Sequence, residues 1–127
     1  MSVPSAAYEL RFEQHPQYLL ARVRGAKDSL EITVAYWQRV AAEAIKCGAE
    51  RLMVVENFPN NASTVDMMTV GRFLADLGLQ NLRIAFVDEH PDQLDRNRVG
   101  ELVAVNRGLT GKVFADFVVA ERWLLAG

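Results

Sequence analysis

The sequence is poor in the features that mark specialised proteins. A single cysteine, Cys47, has no partner for an internal disulfide, so nothing points to an oxidising compartment. There is no cationic surplus: 14 Lys and Arg stand against 16 Asp and Glu, a formal net charge of −2. Those cations are scattered among the acids, without a cluster and without interleaved aromatics, which argues against a nucleic-acid partner. No apolar run approaches the ~20 residues of a membrane-spanning helix, so no integral membrane segment is expected. The stretch from Met1 to Ala7 has neither a basic start nor an apolar core, and no secretory signal is expected there. The expectation is a cytoplasmic protein.

What is present is the balance of an ordinary globular chain, half apolar and 24% charged. Its 127 residues fit one domain, 1–127 with an ordered core of about 8–125, large enough to fold without disulfides or metal.

Hydropathy patterning gives the elements. Tyr8 to Gln14 alternates, with Tyr8, Leu10 and Phe12 on one face. After His15-Pro16-Gln17, Tyr18 to Arg24 resumes with Leu19, Ala21 and Val23 opposite Arg22 and Arg24, which predicts an antiparallel hairpin with one polar face. Asp28 with Glu31 reads as a capping box, and Leu30, Val34, Trp37, Ala41 and Ala44 follow at helical spacing up to Gly48. Arg51 to Phe58 contains the continuous apolar run Leu52-Met53-Val54-Val55 of a strand covered on both faces. Beyond the loop Pro59-Asn60-Asn61, Ser63 or Thr64 caps a second helix carrying Met67, Val70, Phe73, Leu74 and Leu77 and closed by Gly78. Leu82 to Val87 is another buried strand, and Asp88 to Asp92 a polar turn. Leu94 to Arg107 is a helix with Leu102 and Val105 inward, Lys112 to Ala115 a short strand, and Val118 to Leu125 a helix that buries Trp123 and Leu124. The order β-β-α-β-α-β-α-β-α defines an α/β fold with a mixed, mainly parallel sheet reached by right-handed crossovers.

In open α/β sheets, ligands bind beyond the carboxyl ends of the parallel strands. After the central strand come Glu56, Asn57, Phe58, Asn60, Asn61, Ser63 and Thr64; after the next come Asp88, Glu89, His90 and Asp92. If the strands are neighbours, these loops share one rim, and Asn57, Phe58, Asn60, Asn61, Ser63, Thr64, Asp88 and His90 become the candidate binding surface. Two catalytic readings compete there. Asp88-Glu89-His90-Pro91-Asp92 is the densest set of metal-ligand types, yet one histidine without cysteine is a poor site, and turn and cap chemistry account for these residues. Ser63 with His90 and Asp88 would make a small hydrolase, but there is no Gly-x-Ser-x-Gly elbow, and Ser or Thr at a helix start is an ordinary cap. No catalytic residue, metal or cofactor is therefore assigned. Met67 and Met68 are adjacent and cannot both face the core; one is expected inside and the other open to a partner.

The element order resembles the SpoIIAA-like fold, that of STAS domains and of a group of small stand-alone bacterial proteins. Val23-Arg24-Gly25 ends the second strand at a glycine, Arg51 to Glu56 matches the central strand, and Val105-Asn106-Arg107-Gly108 before Val113-Phe114 resembles the group's third helix, turn and last strand. Ala120-Glu121-Arg122-Trp123-Leu124 resembles its terminal helix. The resemblance implies a non-catalytic regulatory module with a protein partner, self-association being left open. The fold's kinship to lipid-carrier domains adds a small apolar ligand as an alternative. STAS antagonists carry a phosphorylated serine in an Asp-Ser-Ser-Gly-type motif; here Asn61-Ala62-Ser63-Thr64-Val65-Asp66 occupies that region, so Ser63 and Thr64 are phosphorylation candidates without the flanking aspartate and glycine.

Overall fold

The turn at His15 and Pro16 folds β1 (Glu9–Gln14) back along β2 (Leu19–Arg24), antiparallel, with Leu10 opposite Val23 and Phe12 opposite Ala21. The computed structural model describes residues 7–59 and 64–127, without the side chains of Thr64 and Val65. Every later strand joins in parallel: β3 (Arg51–Asn57) beside β2, β4 (Arg83–Asp88) beside β3, and β5 (Thr110–Phe114) beside β4. Strand order in the sheet is therefore the order in the chain. Each parallel step needs a crossover, supplied by α1 (Leu30–Lys46), α2 (Thr64–Ala75) and α3 (Leu94–Asn106), the last preceded by a 3-10 turn at Pro91–Gln93. Because all three steps run the same way across the sheet, right-handed crossovers bring the three helices to one face. The last helix, α4 (Phe117–Ala126), lies on the other.

The pleat sends alternate residues of β2, β3 and β4 to the two faces. Leu19, Ala21, Leu52, Val54 and Ile84 meet Tyr36, Trp37 and Val40 under α1–α3, while Leu20, Met53, Val55, Ala85 and Val87 meet Ala120 and Leu124 under α4. The sheet thus has the expected order and composition. The hairpin differs in detail: β2 is an inner strand whose Leu20 is buried by α4, and only Arg22 and Arg24 of its second face reach water.

Helix faces depart further from expectation. Ser29, not Asp28, caps α1, its Oγ accepting from Ile32 N at 3.2 Å. That shift of one residue sets the buried stripe on Ile32, Tyr36, Trp37, Val40, Ala41 and Ala44, with Leu30 and Val34 only half-buried. On α3, Leu102 and Val105 were expected inward and are 61% and 43% exposed. Asn97, Gly100 and Ala104 are buried instead. The reason is close helix approach. A Cβ on Gly71 would stand 2.6 Å from the Gly100 carbonyl oxygen, and a Cβ on Gly100 would meet Met67 Cε at 3.1 Å. Only small residues fit this seam, so the large apolar ones of α3 turn outward. On α4, Ala120 and Leu124 are fully buried as the spacing requires. Trp123 is half-buried, between the Phe114 ring at 5.6 Å and the Arg83 guanidinium at 3.7 Å.

Replacing glycine by alanine inside an open helix stabilises it by ~1 kcal/mol. In Gly71→Ala the new methyl meets backbone that cannot rotate away, so the melting temperature is expected to fall. A thermal melt that rises would show that α2 and α3 do not touch at this pair.

Candidate functional site

Parallel register sets Glu56 of β3 beside Asp88 of β4, so the two strands end together and their loops do share a rim. Side chains and backbone stitch it. His90 Nε2 lies 2.8 Å from Asn57 Oδ1, and since that oxygen can only accept, the ring donates from Nε2. Gln93 Nε2 donates to the Phe58 carbonyl at 3.0 Å, and Glu89 N to the Glu56 carbonyl at 3.0 Å. Two residues assigned to this surface are not on it. Asp88 is 1% exposed, its carboxylate bracing the turn by accepting from His90 N at 2.8 Å and Asn97 Nδ2 at 2.7 Å. Phe58 is fully buried and stacks on Tyr36, because the chain leaving β3 dips into the core before reaching Pro59. Met67 is buried and Met68 is 39% exposed, the division expected of adjacent helical positions. Asn60, Asn61 and Ser63, with the side chain of Thr64, lie outside the described residues. Among the described residues no group of three His, Cys, Asp or Glu is placed to hold a metal ion.

Beneath the rim lies a cluster that was not singled out from the sequence. Glu56 ends the apolar run of β3 inside the core, 2% exposed. The Tyr36 ring lies against Trp37, centroids 5.9 Å apart, and the Tyr36 hydroxyl donates to Glu56 Oε2. Glu56 Oε1 has no hydrogen-bond partner among the described residues. Burial pushes the Glu56 carboxyl well above the usual carboxylate range, and the negative charges of Asp28 and Asp88 push it further, against the Tyr36 hydrogen bond. Asp28, at the entrance to α1, is pushed up to about 6, chiefly by burial, against hydrogen bonds from the Thr33 hydroxyl and Ser29 N. Burial also raises Asp88, against the groups that brace it. Burial thus favours the neutral form of Glu56, in which, with Oε2 accepting from tyrosine, the proton lies on Oε1. The available signal was one position: a glutamate closing a four-residue apolar run on a strand covered on both faces.

Glu56 forms part of the wall of an apolar cavity of about 70 Å³ between the sheet and α1–α3. One water needs only ~10–15 Å³ of such space. Trp37, Val70, Leu74, Ile84, Phe86 and Ala104 supply most of the lining, and the exposed Val105 and Lys112 mark its open side. An unmade buried hydrogen bond at Oε1 costs ~1–3 kcal/mol.

No protein-family model matches the chain, and neither does any curated protein. Solved structures do. An anti-sigma factor antagonist from Mycobacterium paratuberculosis is similar over 98% of this chain and 99% of its own, with a TM-score of 0.61 and 13% identity. A DUF3478-family protein with a SpoIIAA-like fold from Shewanella loihica is matched over 98% of both chains, with a TM-score of 0.48 and 14% identity. The chain thus has the SpoIIAA-like, mixed and mainly parallel α/β fold that its element order resembles.

The raised acids make stability depend on pH. Glu56 and Asp28 keep protons in the folded chain that the unfolded chain gives up at ordinary carboxylate values of 4.5 and 3.8. Their contribution is complete below those values and is lost as pH rises through the folded ones, about 6 for Asp28 and raised well above the ordinary range for Glu56. The melting temperature is expected to be higher near pH 5 than near pH 8, and Glu56→Gln, an uncharged mimic, should shrink the difference. A profile flat or rising over that range would contradict it.

Proposed function

We propose that this chain is a regulatory module that acts by binding a protein partner at the rim where β3 and β4 end. The observation that carries the reading is the likeness, over nearly all of both chains, to an anti-sigma factor antagonist. Local geometry supports it. The Asn57–His90 pair and the Gln93–Phe58 bond fasten the end of β3 to the turn after β4, which limits the conformational freedom this part of the rim loses on docking. Met68, exposed near the start of α2, offers an adaptable apolar contact beside them.

Phosphorylation of Ser63 or Thr64 as an off-switch belongs to the same proposal. A phosphate at the start of α2 would meet a helix N-terminus, which favours negative charge, while Asp66 in the first turn already uses part of that field. A phosphate would be accommodated by the fold and would change the charge of the rim. No observation among the described residues favours a hydrolytic reading, Ser63 lying outside them.

Crosslinking in the native cell with Met68→Asp and His90→Ala variants tests the rim, each variant first shown to melt as the wild type does. Both are expected to lose a partner that wild type and a control on the opposite face, Val118→Asp, retain. Equal retention by both rim variants would move the contact elsewhere on the molecule.

A further inference from the structure

Among the described residues β5 is the last strand of the sheet, and an edge strand offers unpaired N–H and C=O groups to any extended chain. Which groups face outward follows from β4. Arg83 N and Glu89 N donate to the carbonyls of Glu50 and Glu56 on the β3 side, so the even-numbered residues of β4 turn toward β5. The β4–β5 register then brings Thr110, Lys112 and Phe114 to β4 and leaves the amides and carbonyls of Gly111 and Val113 on the free edge. One of these groups is already taken. Gly108, at φ +102°, turns the chain from α3 straight into β5, so the helix runs back beside the strand. From that helix Glu101 reaches the edge, and its Oε1 accepts the Val113 amide at 2.7 Å. A carboxylate accepting a backbone amide makes a charge-assisted bond, stronger than the neutral one an added strand would offer. Lys112, exposed on the same strand, stands over the Phe114 ring at 5.7 Å. An apolar surface lies within reach of a visitor: Val105 is 43% exposed and shares the cavity wall with Lys112 and Val113.

We propose that Glu101 is a guard on the free edge of β5: by holding the Val113 amide it keeps a second copy of this chain from adding its own β5 there, and its loss makes the edge a self-pairing surface. The occupant follows from the strand itself. Two antiparallel copies of β5 about a two-fold axis set Gly111 of each opposite Val113 of the other, each pair giving and receiving a bond. Glu101 takes the Val113 donor out of that exchange. The same register puts Lys112 opposite its own copy, where like charges repel. Charged side chains are a common means of keeping edge strands apart, and here two act on one short edge. No residue of this edge belongs to the rim, and neither reading depends on the other.

The test is the mass of the full chain in solution, by light scattering across a range of concentrations, for variants first shown to melt cooperatively. Lys112→Thr removes the repulsion and serves as the background. Adding Glu101→Ala is expected to strengthen association at least tenfold over Lys112→Thr alone. Adding Glu101→Gln, which keeps an acceptor oxygen, should not. Amide hydrogen exchange locates the contact, since pairing through this edge should protect Gly111. Wild type gives a reading that needs no variant: corrected for intrinsic rates, its Val113 amide should exchange at least tenfold more slowly than its Gly111 amide. Equal exchange at those two amides, no gain in association from Glu101→Ala, an equal gain from Glu101→Gln, or association that leaves Gly111 unprotected would overturn the proposal.

Discussion

The Tyr36–Glu56 hydrogen bond is the constraint around which this structure is arranged. It joins the middle of α1 to the end of the central strand, in a place where neither residue can reach water. Three features act together to favour the neutral acid at Glu56: burial, Asp28 at the entrance to α1, and Asp88 across the β3–β4 register. Removing the charge solves the desolvation problem and creates another, since a neutral acid carries a proton that needs an acceptor. Among the described residues no group meets that need.

The cavity itself is a consequence of helix packing. Gly71 and Gly100 let α2 and α3 touch backbone to backbone, and this seam holds the pair together along one line. Large side chains of α3 that would have filled the space toward the sheet, Leu102 and Val105, point outward or stand at the opening. Ala104 faces inward with too little volume to replace them. Tight contact in one place and open space in the next are two results of the same choice of small residues on α3.

This also explains what the sequence made legible. Strands were readable because β3 and β4 are covered on both faces and carry unbroken apolar runs, and because proline interrupts the opening hairpin. That the two strands are neighbours was a condition in the sequence reading; the β3–β4 pairing meets it, and the two loops meet in the Asn57–His90 pair. Helix faces were less readable. Periodicity weighs large apolar residues, so it chose Leu102 and Val105 on α3, where close approach selects Gly100 and Ala104. The acidic cluster was hidden for a related reason. Asp28 has the spacing of a cap, Glu56 and Asp88 look like polar strand ends, and only the register and the depth of the sheet show that all three face inward. Phe58 was misplaced because a residue just past a strand reads as loop, while here it closes the core against Tyr36.

The central claim is that burial beside Asp28 and Asp88 holds the Glu56 carboxyl well above the ordinary carboxylate range. The direct measurement is the carboxyl-carbon resonance of Glu56, assigned by its loss in Glu56→Gln and followed through a pH titration. It should titrate at clearly higher pH than the resonances of the exposed glutamates, and the Asp28 carboxyl near pH 6. A Glu56 resonance that titrates together with the exposed glutamates would contradict the account.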